Sequence, residues 1–132
     1  LWIMIVELDR RAREHDQSKL EGPEAEIFGE WTPELAKVEY MSPEYKALME
    51  KVRPAIDHHY ANNRHHPEHW PKGVEDMTLC DLQEMLCDWK VATERNKNGN
   101  IRTSIEKNAS RYGLTPQLAQ ILQNTVREMF QE

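Results

Sequence analysis

Thr78-Leu79-Cys80-Asp81-Leu82-Gln83-Glu84-Met85-Leu86-Cys87-Asp88-Trp89 is the stretch whose reading decides the fold class. Leu79, Leu82, Met85, Leu86 and Trp89 recur at steps of three and four residues, the spacing of one face of an α-helix. Thr78 with Asp81 resembles a capping box, with Asp in place of the longer Glu or Gln. A helix is therefore expected from this cap to about Arg95. Downstream, Lys97-Asn98-Gly99-Asn100 reads as a turn and Ile101–Tyr112 as a helix stopped by Gly113. Thr115-Pro116 then starts a last amphipathic helix through Leu118, Ile121, Leu122, Val126 and Met129.

Upstream of Thr78 the pattern changes. Asn62–Val74 holds two prolines and a glycine and predicts a loop or broken helical turns. Ser42-Pro43-Glu44 is a helix start, with a capping hydroxyl, proline at the first helical position and an acid near the positive end. That helix is expected to run to about Tyr60, with Tyr45, Leu48, Met49, Val52 and Ile56 on one side and a bend at Pro54. Pro23–Trp31 predicts a short helix that Pro33 breaks, and residues 2–14 predict another with Trp2, Ile3, Ile5, Val6 and Leu8 as its apolar surface. With no convincing strand and no internal repeat, the expected fold class is all-α, a helical bundle in a single domain over residues 1–132.

Hydrophobic content of 39% with 30% charged residues fits a globular domain rather than a disordered chain. The net charge of −6 argues against a broad nucleic-acid surface, although bound cations would still let a histidine-lined site accept an anion. No stretch approaches the roughly 18 apolar residues of a membrane span. Leu1–Leu8 is interrupted by Glu7 and followed by Asp9-Arg10-Arg11, the wrong order of charge for a secretory signal. Cys80 and Cys87 stand roughly 10 Å apart on one helix, too far for a disulfide. They read as reduced thiols in or near the core, and the expected location is cytoplasmic. The Leu1–Leu8 face and the last helix would serve either the core or a homo-oligomer contact.

Five of the six histidines lie between His58 and His69, and the sixth is in His15-Asp16 at the end of the first helix. Imidazole is the commonest protein ligand for divalent transition metals, with carboxylate its usual companion. On an ideal helix the adjacent side chains of His15 and Asp16 diverge by about 100°, so they would share an ion only at a helix end or distortion. His15, Asp16, His59, His65, His66 and Asp88 are the candidate ligands, a mixed nitrogen and oxygen set suited to one or two ions of Fe, Mn, Co, Ni or Zn. Glu84, one turn before Asp88, is a candidate to orient a histidine, or else a surface acid. Asn63 is expected to pin the loop through backbone bonds, and His58 and His69 to stand behind the ligands or on the surface. Trp31, Trp70, Trp89 and Tyr60 are expected to pack rather than stack on a substrate.

His15-Asp16-Gln17-Ser18-Lys19 resembles the signature of the HD-domain superfamily of helical metal-dependent phosphohydrolases. Binuclear members of that superfamily add a His and a His-His pair before a last Asp; here His59, His65-His66 and Asp88 follow in that order. More closely, the chain resembles a family of small uncharacterised HD-like proteins of phages and bacteria. His15–Lys19, then His59, Asn63, His65, His66 and Trp70, then Glu84, Met85, Asp88 and Trp89 match that family's segments over about residues 1–95. The superfamily's first ligand is a His on the helix before His-Asp. No His precedes His15, so that ligand would lie upstream of Leu1 or the set is incomplete.

The resemblance implies an HD-like helical bundle and a metal-dependent phosphohydrolase acting on a nucleotide or another small phosphoester. Asp16 and Lys19 would be its catalytic residues, with Lys19 approaching the phosphate. Two alternatives remain open at this point: a di-iron oxygenase on the same scaffold, and a non-catalytic phage or bacterial accessory protein that binds a nucleotide or a protein partner.

Overall fold

Four of the helices start where a small polar side chain accepts a backbone N–H that the helix cannot satisfy itself. Ser42 Oγ accepts from the Tyr45 amide at 3.1 Å, Asn100 Oδ1 from Thr103 at 3.0 Å and Thr115 Oγ1 from Leu118 at 3.2 Å. At Thr78 the capping box is complete: Asp81 Oδ2 accepts from the Thr78 amide at 2.8 Å and from its hydroxyl at 2.6 Å. The shorter Asp therefore closes the box, and it is fully buried while doing so.

The computed structural model describes residues 1–95 and 97–130; Asn96, Gln131 and Glu132 of the expected 1–132 domain lie outside the described residues. Among the described residues the chain forms six α-helices: α1 (Trp2–Glu14), α2 (Glu24–Leu35), α3 (Pro43–Asn62), α4 (Leu79–Glu94), α5 (Ile101–Tyr112) and α6 (Pro116–Met129). Short 3-10 turns occupy Gln17–Leu20, Pro67–His69 and Gly73–Asp76, and no described residue is in a strand. The all-α expectation is met. No helix among the described residues is long and apolar enough to cross a membrane.

The chain divides into two units, one of Asp9–Arg64 and one of Leu1–Leu8 with His65–Glu132. In the first, α2 packs on α3 and the Gln17–Leu20 turn packs on both. Val52 and Ala55 of α3 are buried there, and Lys51 Nζ sits 4.0 Å from the centre of the Trp31 ring. In the second, Met85, Leu86 and Trp89 of α4, Ile101 and Ile105 of α5, and Leu122 and Val126 of α6 make one apolar core. Trp89 stacks on Tyr112 within that core, the planes 10° apart. Each fully buried isoleucine stabilises the unit by about 1.5–3 kcal/mol through removal from water.

Two expectations need correcting. Pro33 does not break α2, which continues to Leu35. It falls in the last turn, and the carbonyl it deprives of a donor is that of exposed Gly29, which water can satisfy. Cys87 is not a core residue. Both cysteines are free, Cys80 is half-buried, and Cys87 is exposed because it lies about 100° round α4 from buried Leu86. Although the residue is exposed, partial desolvation of its sulfur and then the charges of neighbouring Glu84 and Asp88 push the Cys87 thiol above its usual pKa.

Candidate metal-ligand clusters

In the unit of Asp9–Arg64, α1 ends at Glu14, so His15 and Asp16 fall just past the helix end. Asp16 takes the left-handed conformation, φ 55° and ψ 18°, which a short polar residue tolerates better than most. Its carbonyl accepts from the Lys19 amide at 2.9 Å and so opens the 3-10 turn. The reversal gathers three cationic or imidazole groups on one carboxylate. Lys19 Nζ is 2.5 Å and His15 Nε2 3.4 Å from Asp16 Oδ2, while His59 Nε2 is 3.4 Å from Oδ1. Burial alone would hinder ionisation of Asp16. The Lys19 hydrogen bond and the charges of Lys19, His15 and His59 outweigh it and hold the carboxyl below its ordinary value.

His59 is itself anchored from behind. α2 begins at Glu24, whose side chain is fully buried, and Oε2 lies 2.9 Å from His59 Nδ1. The other oxygen lies 2.7 Å from His58 Nδ1. Burial opposes the charge of Glu24, but hydrogen bonds from His58, Ser18 and His59 prevail and keep its pKa low. Asn63, just after α3, donates from Nδ2 to Ser18 Oγ at 2.7 Å and to the His59 carbonyl at 2.8 Å. It thus ties the turn that follows Asp16 to the end of α3.

In the other unit, His65 is 1% exposed and its ring centre is 4.1 Å from that of His66. Nδ1 of His65 is 3.2 Å from Glu84 Oε1 on α4. One ring nitrogen of His65 lies within 4.8 Å of one of His66, and one within 4.8 Å of an Asp88 carboxylate oxygen. Glu84 and Asp88, one turn apart on α4, thus both lie near His65, Glu84 in contact with it. The turn after His66 is fastened to α5, since Glu68 Oε1 accepts from Arg111 Nη2 at 3.1 Å and from the Tyr112 hydroxyl at 2.9 Å. His69, in that turn, meets the Trp70 ring edge-on at 4.9 Å.

Each unit therefore holds a histidine whose Nδ1 faces a carboxylate: His59 with Glu24 and His65 with Glu84. This couple fixes a ring's tautomer and orientation, directing the Nε2 lone pair away from the acid. Glu84 was legible in the sequence as an orienting candidate. Glu24 was not, because an acid in the first turn of a helix is adequately explained by the helix dipole. Nothing in its spacing from His58 and His59 announces the contact.

The described residues thus define an all-helical protein with clustered imidazoles and carboxylates in each of its two units. The model described as "Family of unknown function (DUF5662)" matches residues 1–128, and the chain belongs to that family. No curated protein and no solved structure matches it.

Proposed function

We propose that this protein is an HD-like metal-dependent phosphohydrolase acting on a nucleotide or another small phosphoester. His15, Asp16, His59, His65, His66 and Asp88 would hold two divalent transition-metal ions. The observation that carries the reading is the arrangement around Asp16: a carboxylate kept ionised, half-buried, in a left-handed turn that faces it with His15, His59 and Lys19. A helix-end reversal is what adjacent His and Asp need in order to point at a common centre. Imidazoles beside a carboxylate, as each unit's cluster offers, are donors of intermediate softness that fit Fe, Mn, Co, Ni or Zn better than Mg or Ca. Such ions supply Lewis acidity, a nucleophile available at neutral pH and compensation of phosphoryl charge.

The chain's own residues have separate tasks in this reading. Asp16 presents Oδ1 to His59 and Oδ2 to His15 and Lys19. Glu24 and Glu84 keep His59 and His65 aimed. Lys19 carries a positive charge on a flexible four-carbon stem and steadies the substrate phosphate as a point charge. Glu68 holds the turn after His66 against α5.

Elemental analysis of chelator-free protein, with a phosphatase panel of nucleoside monophosphates, cyclic dinucleotides and generic phosphoesters, tests the proposal. Stoichiometric metal is expected, together with phosphate release that Asp16→Ala and His66→Ala abolish. Protein that neither retains nor takes up Mn or Fe, or hydrolysis indifferent to both substitutions, would overturn it. Iron with oxygen-dependent turnover would replace hydrolysis by the oxygenase reading.

A further inference from the structure

Glu24 is fully buried, yet it meets no lysine or arginine in the contacts that hold it; its partners are two imidazoles and one hydroxyl. A buried carboxylate needs hydrogen-bond donors on both oxygens. His58 and His59 are neighbours on α3 whose side chains diverge by about 100° on an ideal helix. Both nevertheless turn Nδ1 toward this one group, a separate oxygen for each, at 2.7 Å and 2.9 Å.

The proton position at His59 follows from its surroundings. Asn63 Nδ2 is also 3.1 Å from His59 Nδ1, so in principle Nδ1 could accept instead of donate. The two hydrogens of that amide already have nearer acceptors, Ser18 Oγ at 2.7 Å and the His59 carbonyl at 2.8 Å. An unprotonated Nδ1 would also set its lone pair against the Glu24 carboxylate. Ser18, accepting from Asn63, keeps its own hydroxyl proton for Glu24. The arrangement is self-consistent only with protons on Nδ1 of both histidines.

We propose that Glu24 is the positioning residue for His59: it holds a proton on Nδ1 and aims Nε2 at Asp16, with His58 serving as the second donor that keeps the Glu24 carboxylate in place. His58 is then a support and not a ligand. The metal consequence of this assignment rests on the ligand reading of His59 above, whereas the tautomer consequence does not. An imidazole backed by a carboxylate is the more basic donor, and loss of such a partner weakens metal binding by about 10–100-fold.

The test is a two-bond proton–nitrogen NMR spectrum of the histidine rings in metal-free full-length protein, with titration of Zn or Co into the same samples. Wild type is expected to show His59 protonated on Nδ1. Glu24→Gln, whose single carbonyl cannot accept from both rings, is expected to give a mixture containing Nε2–H and to bind the ion about 10–100-fold more weakly. Glu24→Asp, which retains the charge, is expected to fall between them. His59 protonated on Nε2 with Nδ1 bare in wild type overturns the assignment without any variant having to fold. A Glu24→Gln protein with unchanged tautomer and unchanged affinity, merely less heat-stable, also overturns it. If wild type takes up no ion but the tautomer changes as expected, the metal proposal falls and the role of Glu24 stands.

Discussion

Lys19 Nζ lies 2.5 Å from Asp16 Oδ2, so the carboxylate proposed as a metal ligand is already neutralised by an ammonium three residues along the chain. The same charge that would greet a phosphate competes with a cation for Asp16. Lys19→Met should therefore tighten binding of Mn or Zn severalfold in calorimetry. It should also raise KM for the best phosphoester by roughly tenfold, the scale of one charge-assisted hydrogen bond. Weaker metal binding in this variant would place the lysine outside that competition.

Metal loading should be visible as heat stability. A ligand at 100 times its dissociation constant stabilises the native state by about 2.7 kcal/mol. In a domain of this size that corresponds to a Tm increase on the order of 10 °C. Thermal melts with Zn or Mn against melts with chelator should show the increase in wild type, and Asp16→Ala should lose most of it. Equal melts with and without metal in wild type would count against ligation.

Ile105 is fully buried at the centre of α5, in the core shared by α4, α5 and α6. Ile105→Ala should destabilise by about 2–5 kcal/mol, through lost transfer energy and the cavity left behind. Urea unfolding followed by circular dichroism reads this directly. A loss under 1 kcal/mol would mean the core collapses around the gap.

Gly99 tolerates no side chain. A Cβ built there would stand 1.8 Å from the backbone oxygen of Thr93, which cannot swing aside as a side chain can. Gly99→Ala should cost more than about 1 kcal/mol in the same assay, with the turn between α4 and α5 rebuilt. An Ala variant as stable as wild type would show that this close approach does not persist in solution.

Much of the fold is local, and that part was legible. The caps at Ser42, Thr78 and Thr115 and the left-handed Gly113 each act within about one turn, so their residues announce them. Pro33 misled because the rule that proline ends a helix weakens in the final turn, where one missing donor frees a solvent-facing carbonyl. At the candidate site, His15, Asp16, His59, His65, His66 and Asp88 stood out by residue type, and Glu84 by its helical distance from Asp88. Glu24 lies 34 and 35 residues from its histidine partners, and only the packing of α2 on α3 brings it to them. Acids are common at helix starts, so composition could not single it out.

The first turns of α1 leave Trp2 73% exposed, whereas Trp89 is 9% exposed in the α4–α6 core. With the half-buried Trp31 and Trp70 replaced by Phe, these two indoles form a pair of optical probes. Iodide should quench a red-shifted share of the fluorescence that comes from the N-terminal indole, and leave the blue-shifted share of Trp89 until the protein unfolds. Events at the start of α1 can then be followed separately from melting of the interior, with no label attached.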